Sequence, residues 1–152
     1  MKNIEIRKAK EEDVPSMMKF VLELAVFEKG LHEVTNSEEA MRADGFGEHP
    51  SFGALVAEDS ATKEIIGISI YYIRYSTWKG RRLYLEDLIV TESHRGKGIG
   101  KSLFEETIAI GKEIKCNGMI WQVLDWNEPA INFYKKYNAR FDDEWLNVQL
   151  EF

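Results

Sequence analysis

Cysteine occurs once in this chain, at Cys116. A single thiol cannot close an internal disulfide and cannot build a Cys-rich zinc site. No metal centre is expected, and a reducing compartment, the cytoplasm, suits a chain that folds without cross-links. Long apolar runs are missing as well. No stretch approaches the roughly 20 apolar residues that a membrane helix needs, so no membrane association is expected. The N-terminal run MKNIEIRKAKEED is charged throughout, unlike a secretory leader. Basic excess is also absent: 20 Lys and Arg against 26 Asp and Glu give a net charge of -6. Nucleic-acid binding is driven by neutralising phosphates, so no nucleic-acid partner is expected, whereas a cationic small molecule suits this surface. There is no internal repeat and no low-complexity tract.

What is present reads as one globular domain over residues 1–152, with 44% hydrophobic and 30% charged residues. A chain of this length buries roughly 70% of its unfolded surface, enough for one core. Residues 3–8 alternate apolar and polar, predicting a strand. Val14, Met17, Met18, Val21, Leu22, Leu24 and Ala25 fall at helical spacing, predicting an amphipathic helix over 11–28. Thr35 and Glu38 have capping-box spacing, which predicts a short helix starting near Asn36. Gly45, Gly47 and Pro50 predict a loop after it. Strands are expected over 52–58, 64–76 and 82–91, a helix over 98–115, and a buried strand over 118–124. A helix from Asn127 to about Tyr137 follows, with Pro129 in its first turn and Asn138 suited to end it. Residues 145–152 predict a closing strand. The order β-α-α-β-β-β-α-β-α-β implies an α/β fold, a mixed and mostly antiparallel sheet with helices on both faces.

Between the third strand of the meander and the long helix lies Arg95-Gly96-Lys97-Gly98-Ile99-Gly100-Lys101. Glycines let backbone approach a ligand, successive N–H groups can line one concavity, and a helix N-terminus adds positive potential. A pyrophosphate fits all three properties, although an ordinary βα turn with solvated cations shares them. Gly100-Lys101-Ser102 imitates the end of a nucleotide-binding P-loop, G-x-x-x-x-G-K-[ST]. That pattern needs glycine at position 95, where this chain has Arg95.

R-x-x-G-x-G before a long helix resembles the coenzyme A signature of the GCN5-related N-acetyltransferases (GNAT). The blocks Asp44-Gly45-Phe46-Gly47-Glu48-His49-Pro50, Tyr84-Leu85-Glu86-Asp87, Arg95-Gly96-Lys97-Gly98-Ile99-Gly100 and Trp126-Asn127-Glu128-Pro129-Ala130-Ile131-Asn132-Phe133-Tyr134-Lys135 extend the resemblance to the diamine (spermidine/spermine) N1-acetyltransferase branch. The resemblance implies the GNAT fold, acetyl-CoA as acyl donor, direct acetyl transfer to a primary amine, and a homodimer with strand exchange near the C-terminus. A polyamine, a diamine or a thialysine-like lysine analogue is the implied acceptor. Phe27 stands where that branch usually has tyrosine, and the stretch from Asn138 to Trp145 is shorter.

The same resemblance assigns site residues. Backbone of Leu88, Ile89 and Val90 holds the pantetheine arm, residues 95–101 the pyrophosphate, and Asn127, Glu128, Pro129 and Ala130 the rest of the cofactor. Glu86 matches the base and an amine contact, and Tyr134 the acid that protonates the departing thiolate. Strand alternation puts Glu86, Leu88 and Val90 on one face, unless a bulge intervenes, and Asp87 on the other. Asp87 is then a second amine-binding carboxylate or a structural one. Phe27, Glu28, Asp143, Glu144 and Trp145 are further candidates for the amine pocket, since carboxylates and an aromatic face suit a long cation. Asn127 also reads as a plain helix N-cap and Tyr134 as a core tyrosine. Two other functions stay open: acetylation of a protein lysine or N-terminus, and a non-catalytic coenzyme A-binding regulatory module.

Overall fold

The structure, a computed structural model, describes residues 3–151. The chain divides between Trp121 and Gln122 into two compact units. The first holds β1 (Ile4–Lys8), α1 (Val14–Phe27), α2 (Glu38–Phe46), β2 (Gly53–Asp59), β3 (Ile65–Ser76), β4 (Gly80–Val90), α3 (Ile99–Glu113) and β5 (Met119–Ile120). The second holds α4 (Glu128–Lys135). The sheet runs in the order β1-β2-β3-β4-β5, with β1 to β4 antiparallel and β5 parallel to β4.

Alternation along β2 explains the layering. Ala54 and Val56 face one side, where Val14, Met17, Met18 and Phe20 of α1 and Met41 of α2 pack on Ile68, Ile70 and Ile89. Leu55 and Ala57 face the other side, against Ile99, Leu103 and Ile110 of α3. Helices thus cover both faces, as expected. On the α3 face a fully buried hydroxyl pair, Ser69 Oγ and Thr107 Oγ1 at 2.7 Å, ties β3 to the helix, and the Thr107 hydroxyl also donates to the Leu103 carbonyl. Satisfied pairs of this kind fix register as well as energy.

Several expected boundaries move. The first helix opens with a separate 3-10 turn at Glu11–Asp13. The cap of α2 is Ser37, whose hydroxyl accepts from Ala40 N–H, rather than Thr35. α2 runs through Gly45 to Phe46, so the loop begins two residues later than the glycines suggest. The strand expected over 118–124 shrinks to two residues, because β4 pairs with it only at Leu83 and Tyr84. The closing strand is absent from the described residues 145–151, and Phe152 lies outside them. Trp145, Leu146, Val148 and Leu150 are 77 to 89% exposed. Their alternation is strand-like, but a strand needs a ladder partner for its N–H and C=O groups, and among the described residues this segment has none.

Candidate active site

β3 and β4 build the floor of the site. Their register slips once: Ile70 pairs with Asp87, and Tyr71 with Leu85. Glu86 is therefore an extra residue in β4, a bulge. A bulge breaks strict alternation and re-aims the side chains around it. Glu86 and Asp87, expected on opposite faces, both line one cavity of about 440 Å³. The remaining walls come from Val21 of α1, Met41 of α2, Asn36, Ser51, Phe52, and Ile70 and Tyr72 of β3. Leu88 and Val90 pack instead with the α3 cluster, so they do not share a face with Glu86. Ile89 belongs to the core under α1.

The cavity floor is acidic. Burial first, and then the charges of Glu86 and Glu28, raise the Asp87 carboxyl to about 6. Glu28, at the C-terminal end of α1, is itself raised by burial. Like charges crowded in a poorly solvated site disfavour ionisation until a cation arrives. Next to these acids, the rings of Tyr72 and Tyr84 stack across the β3–β4 pair at 5.0 Å. The Tyr72 phenol is raised by burial, by the charge of Glu86 and by a hydrogen bond to it. Tyr72, Asn36, Ser51 and Phe52 escaped the sequence reading. The only available signal was that Tyr72 continues the alternation of Ile68 and Ile70 beyond the core.

Beyond Tyr84, β4 leaves β5, so its outer edge from Leu85 to Val90 has no ladder partner among the described residues. An open strand edge presents N–H and C=O groups to an extended ligand. β4 then leads into the glycine loop. Gly96 and Gly98 both have positive φ, 74° and 82°, a region that disfavours other residues. Gly98 is the N-cap of the 15-residue α3, with no side-chain cap and no acidic residue in the first turn. A Cβ at Gly96 would meet nothing within 4 Å, and one at Gly100 only Val90. A helix start without a side-chain cap, with open space beside Gly96, fits a phosphate group. The loop cations are held within the protein. Arg95 Nε donates to the Val90 carbonyl, and the guanidinium lies 3.8 Å from Glu23 and 5.9 Å from the Phe27 ring centroid. Lys97 Nζ donates to the Ser93 carbonyl, and Lys101 sits 3.7 Å from Glu105. Phe27 is thus joined to the glycine loop through Arg95 and is absent from the cavity lining.

In the second unit, Asn127 caps α4, its side-chain oxygen accepting from Ala130 N–H, with Glu128 and Pro129 in the first turn. Tyr134 is buried, its ring edge-on to Phe133 at 5.3 Å. Burial pushes its phenol up to about 12. Asn138 adopts the left-handed conformation, φ 56°. Glu144 and Trp145 are exposed, and the backbone N–H of Glu144 donates to Asp142.

A strand bulge that gathers carboxylates, a sheet that splays beside it, and a phosphate-compatible helix start define an acyltransferase architecture. Comparison with known proteins agrees. The model of the acetyltransferase (GNAT) family matches residues 17–139. The thialysine N-epsilon-acetyltransferase of Mus musculus is 42% identical over 160 residues, covering 99% of this chain and 94% of that protein. The spermidine/spermine N(1)-acetyltransferase-like protein 1 of Homo sapiens is 34% identical over 91% of this chain and 21% of that protein. An aminoglycoside N-acetyltransferase solved in complex with CoA superposes with a TM-score of 0.77 at 16% identity, over 98% of this chain and 95% of that one. The chain belongs to the acetyltransferase (GNAT) family and is an N-acetyltransferase. Among the described residues no helix is long and apolar enough to cross a membrane.

Proposed function

We propose that this enzyme transfers the acetyl group of acetyl-CoA directly to a primary amine of a small cationic molecule, in a ternary complex. The observation that carries the reading is the convergence of Glu86 and Asp87 on one cavity, with Glu28 close enough to repel Asp87. Such a floor favours an ammonium and gains from its binding, because the cation relieves the repulsion. The similarity to thialysine and spermidine/spermine-type acetyltransferases supports the same class of acceptor.

Acetyl-CoA supplies an acetyl group activated as a thioester. The N–H groups at Gly96, Gly98 and the start of α3 suit its pyrophosphate, the open edge of β4 over Leu88–Val90 its pantetheine arm, and Asn127–Ala130 further contacts. Glu86 takes the ammonium proton, through water, so that the free amine can attack. Asp87 and Glu28 hold the cation in place. Tyr134 carries a proton on its phenolic oxygen for the leaving thiolate. The whole chain, residues 1–152, acts as one domain in the cytoplasm. The exposed alternating segment Trp145–Leu150 supports a homodimer in which a second copy supplies the missing strand partner, with Glu144 and Trp145 then available to the amine site.

A thiol-release assay across polyamines, diamines, lysine analogues and a histone-like peptide tests this. Small amines should be acetylated and the peptide left alone. Glu86→Gln should lower kcat/KM by about 100-fold. Acetylation of the peptide in preference to every small amine would move the enzyme to the protein-modifying class, and coenzyme A binding without turnover would make it a regulatory module.

A further inference from the structure

From Ile65 to Leu85 the chain carries Arg74, Lys79, Arg81 and Arg82 and no acidic residue, an anomaly in a protein of net charge -6. Elsewhere in the first unit, arginines have carboxylate partners: Arg7 with Asp13 and Glu58, Arg42 with Glu11, Arg95 with Glu23. Arg81 donates to the Ile114 carbonyl and Arg82 to Asn117 Oδ1. Among the described residues, Arg74 has no carboxylate within ion-pair distance.

Register puts Arg74 on the face of the cavity. Ile70 pairs with Asp87, Tyr72 with Tyr84, and Arg74 with Arg82. Side chains two apart on a strand, and those directly opposite on its neighbour, share a face. Along this face the order is therefore carboxylates, stacked tyrosines, and then Arg74 beside Arg82, whose guanidinium is engaged with Asn117. The Arg74 guanidinium lies 6.0 Å from the Tyr84 ring centroid, so the side chain folds back over that ring, toward the end of the strand pair that carries the acids. The two phenols feel both ends: Glu86 raises Tyr72 and Tyr84, and Arg74 lowers them.

Arg74 lies four residue steps along β3 from Ile70, roughly 13 Å at ~3.3 Å per residue. The folded-back arginine covers part of that interval, and a molecule of lysine length spans the rest. The arginine is misplaced for the cofactor's phosphates. The glycine loop follows the opposite end of β4, eight residues beyond Arg82, or roughly 26 Å.

We propose that Arg74 selects the acceptor by holding a carboxylate at the end remote from the reacting amine, so that the enzyme acts on the side-chain amine of basic amino acids in preference to carboxylate-free diamines and polyamines. Guanidinium is the side chain best matched to a carboxylate, binding it through two parallel N–H···O bonds. The acidic end takes the ammonium and the basic end the carboxylate, so the site is complementary to a molecule charged oppositely at its two ends. The inference rests on the small-amine reading above.

Matched pairs of acceptors test it: L-thialysine and L-lysine, each against the same molecule without its carboxylate. The wild-type enzyme should favour the carboxylated member of each pair. In Arg74→Gln the KM for the carboxylated member should rise by about 10- to 100-fold, the loss expected for one charge-assisted pair, with kcat nearly constant. The KM for the diamine should fall, since a repelling cation is gone. That fall also shows the variant to be folded. Arg74→Glu should invert the preference. Equal use of both members by the wild-type enzyme, or a preference that survives Arg74→Gln, overturns the role of Arg74 and leaves the small-amine reading standing. Turnover of neither member, with a peptide lysine acetylated instead, removes both.

Discussion

Glu86 and Asp87 are adjacent in sequence and line the same cavity, which two neighbours in a regular strand cannot do. The bulge at Glu86 makes this possible. Its consequence is electrostatic. The carboxylates meet in a partly dry site, and the Asp87 carboxyl is raised from 3.8 to about 6. The enzyme thus stores a repulsion that a bound cation would relieve.

Asp87→Asn should therefore stabilise the free enzyme, in a pH-dependent way. The ordinary aspartate value is 3.8 and the folded value about 6. Below about pH 4 the carboxyl is protonated in both folded and unfolded chains and contributes nothing. Between the two values the folded protein keeps a proton that the unfolded chain has lost, so stability falls as pH rises. Above about pH 6 the full cost is present. The melting temperature of Asp87→Asn should exceed that of wild type by about 3 °C or more at pH 8, and match it at pH 4. Equal melting temperatures at pH 8 would mean that Asp87 carries no stored repulsion. The same variant should bind its amine more weakly.

Tyr134→Phe should lower kcat by about 10-fold or more with little change in KM, as for loss of a proton donor that acts only in the transition state. Because burial holds the phenol up to about 12, it keeps its proton throughout the neutral range. Any basic limb of the wild-type pH–rate profile below about pH 10 belongs to another group and should persist in the variant. Unchanged kcat would return Tyr134 to a purely structural role in the core.

Arg7 anchors β1 to the turn before α1 and to β2. Its guanidinium reaches Asp13 at 2.7 Å and Glu58 at 2.6 Å, and Lys63 closes the network on Glu58 at 3.0 Å. Burial opposes ionisation of Asp13, but hydrogen bonds from Arg7 and from Lys10 N–H outweigh it and hold the carboxyl below its ordinary 3.8. Arg7→Leu should cost about 3 kcal/mol in urea unfolding at pH 7, the penalty for stranding a buried carboxylate. The stabilisation is fully present above the ordinary value and is lost as pH falls through the lower folded one, so the difference between variant and wild type should shrink as pH falls below the ordinary 3.8. A constant difference from pH 7 to pH 2 would assign it to packing of the arginine stem instead.

Much of this enzyme was legible in its residues. Alternation along β2 and the helical stripe of α1 identify which faces are buried, because burial of apolar area is local and periodic. Gly96 and Gly98 mark the loop, because only glycine takes those φ angles at no cost. What sequence could not convey depends on pairing between strands remote in the chain. The one-residue slip at Glu86 exists only where β4 meets β3, and it decides that Asp87 turns into the cavity instead of away from it. Tyr72 and Arg74 join the site for the same reason, through cross-strand partners Tyr84 and Arg82. The tail from Trp145 shows the converse. Its strand-like pattern is plain in the sequence, yet among the described residues it has no ladder partner, and backbone hydrogen bonds, not pattern, make a strand.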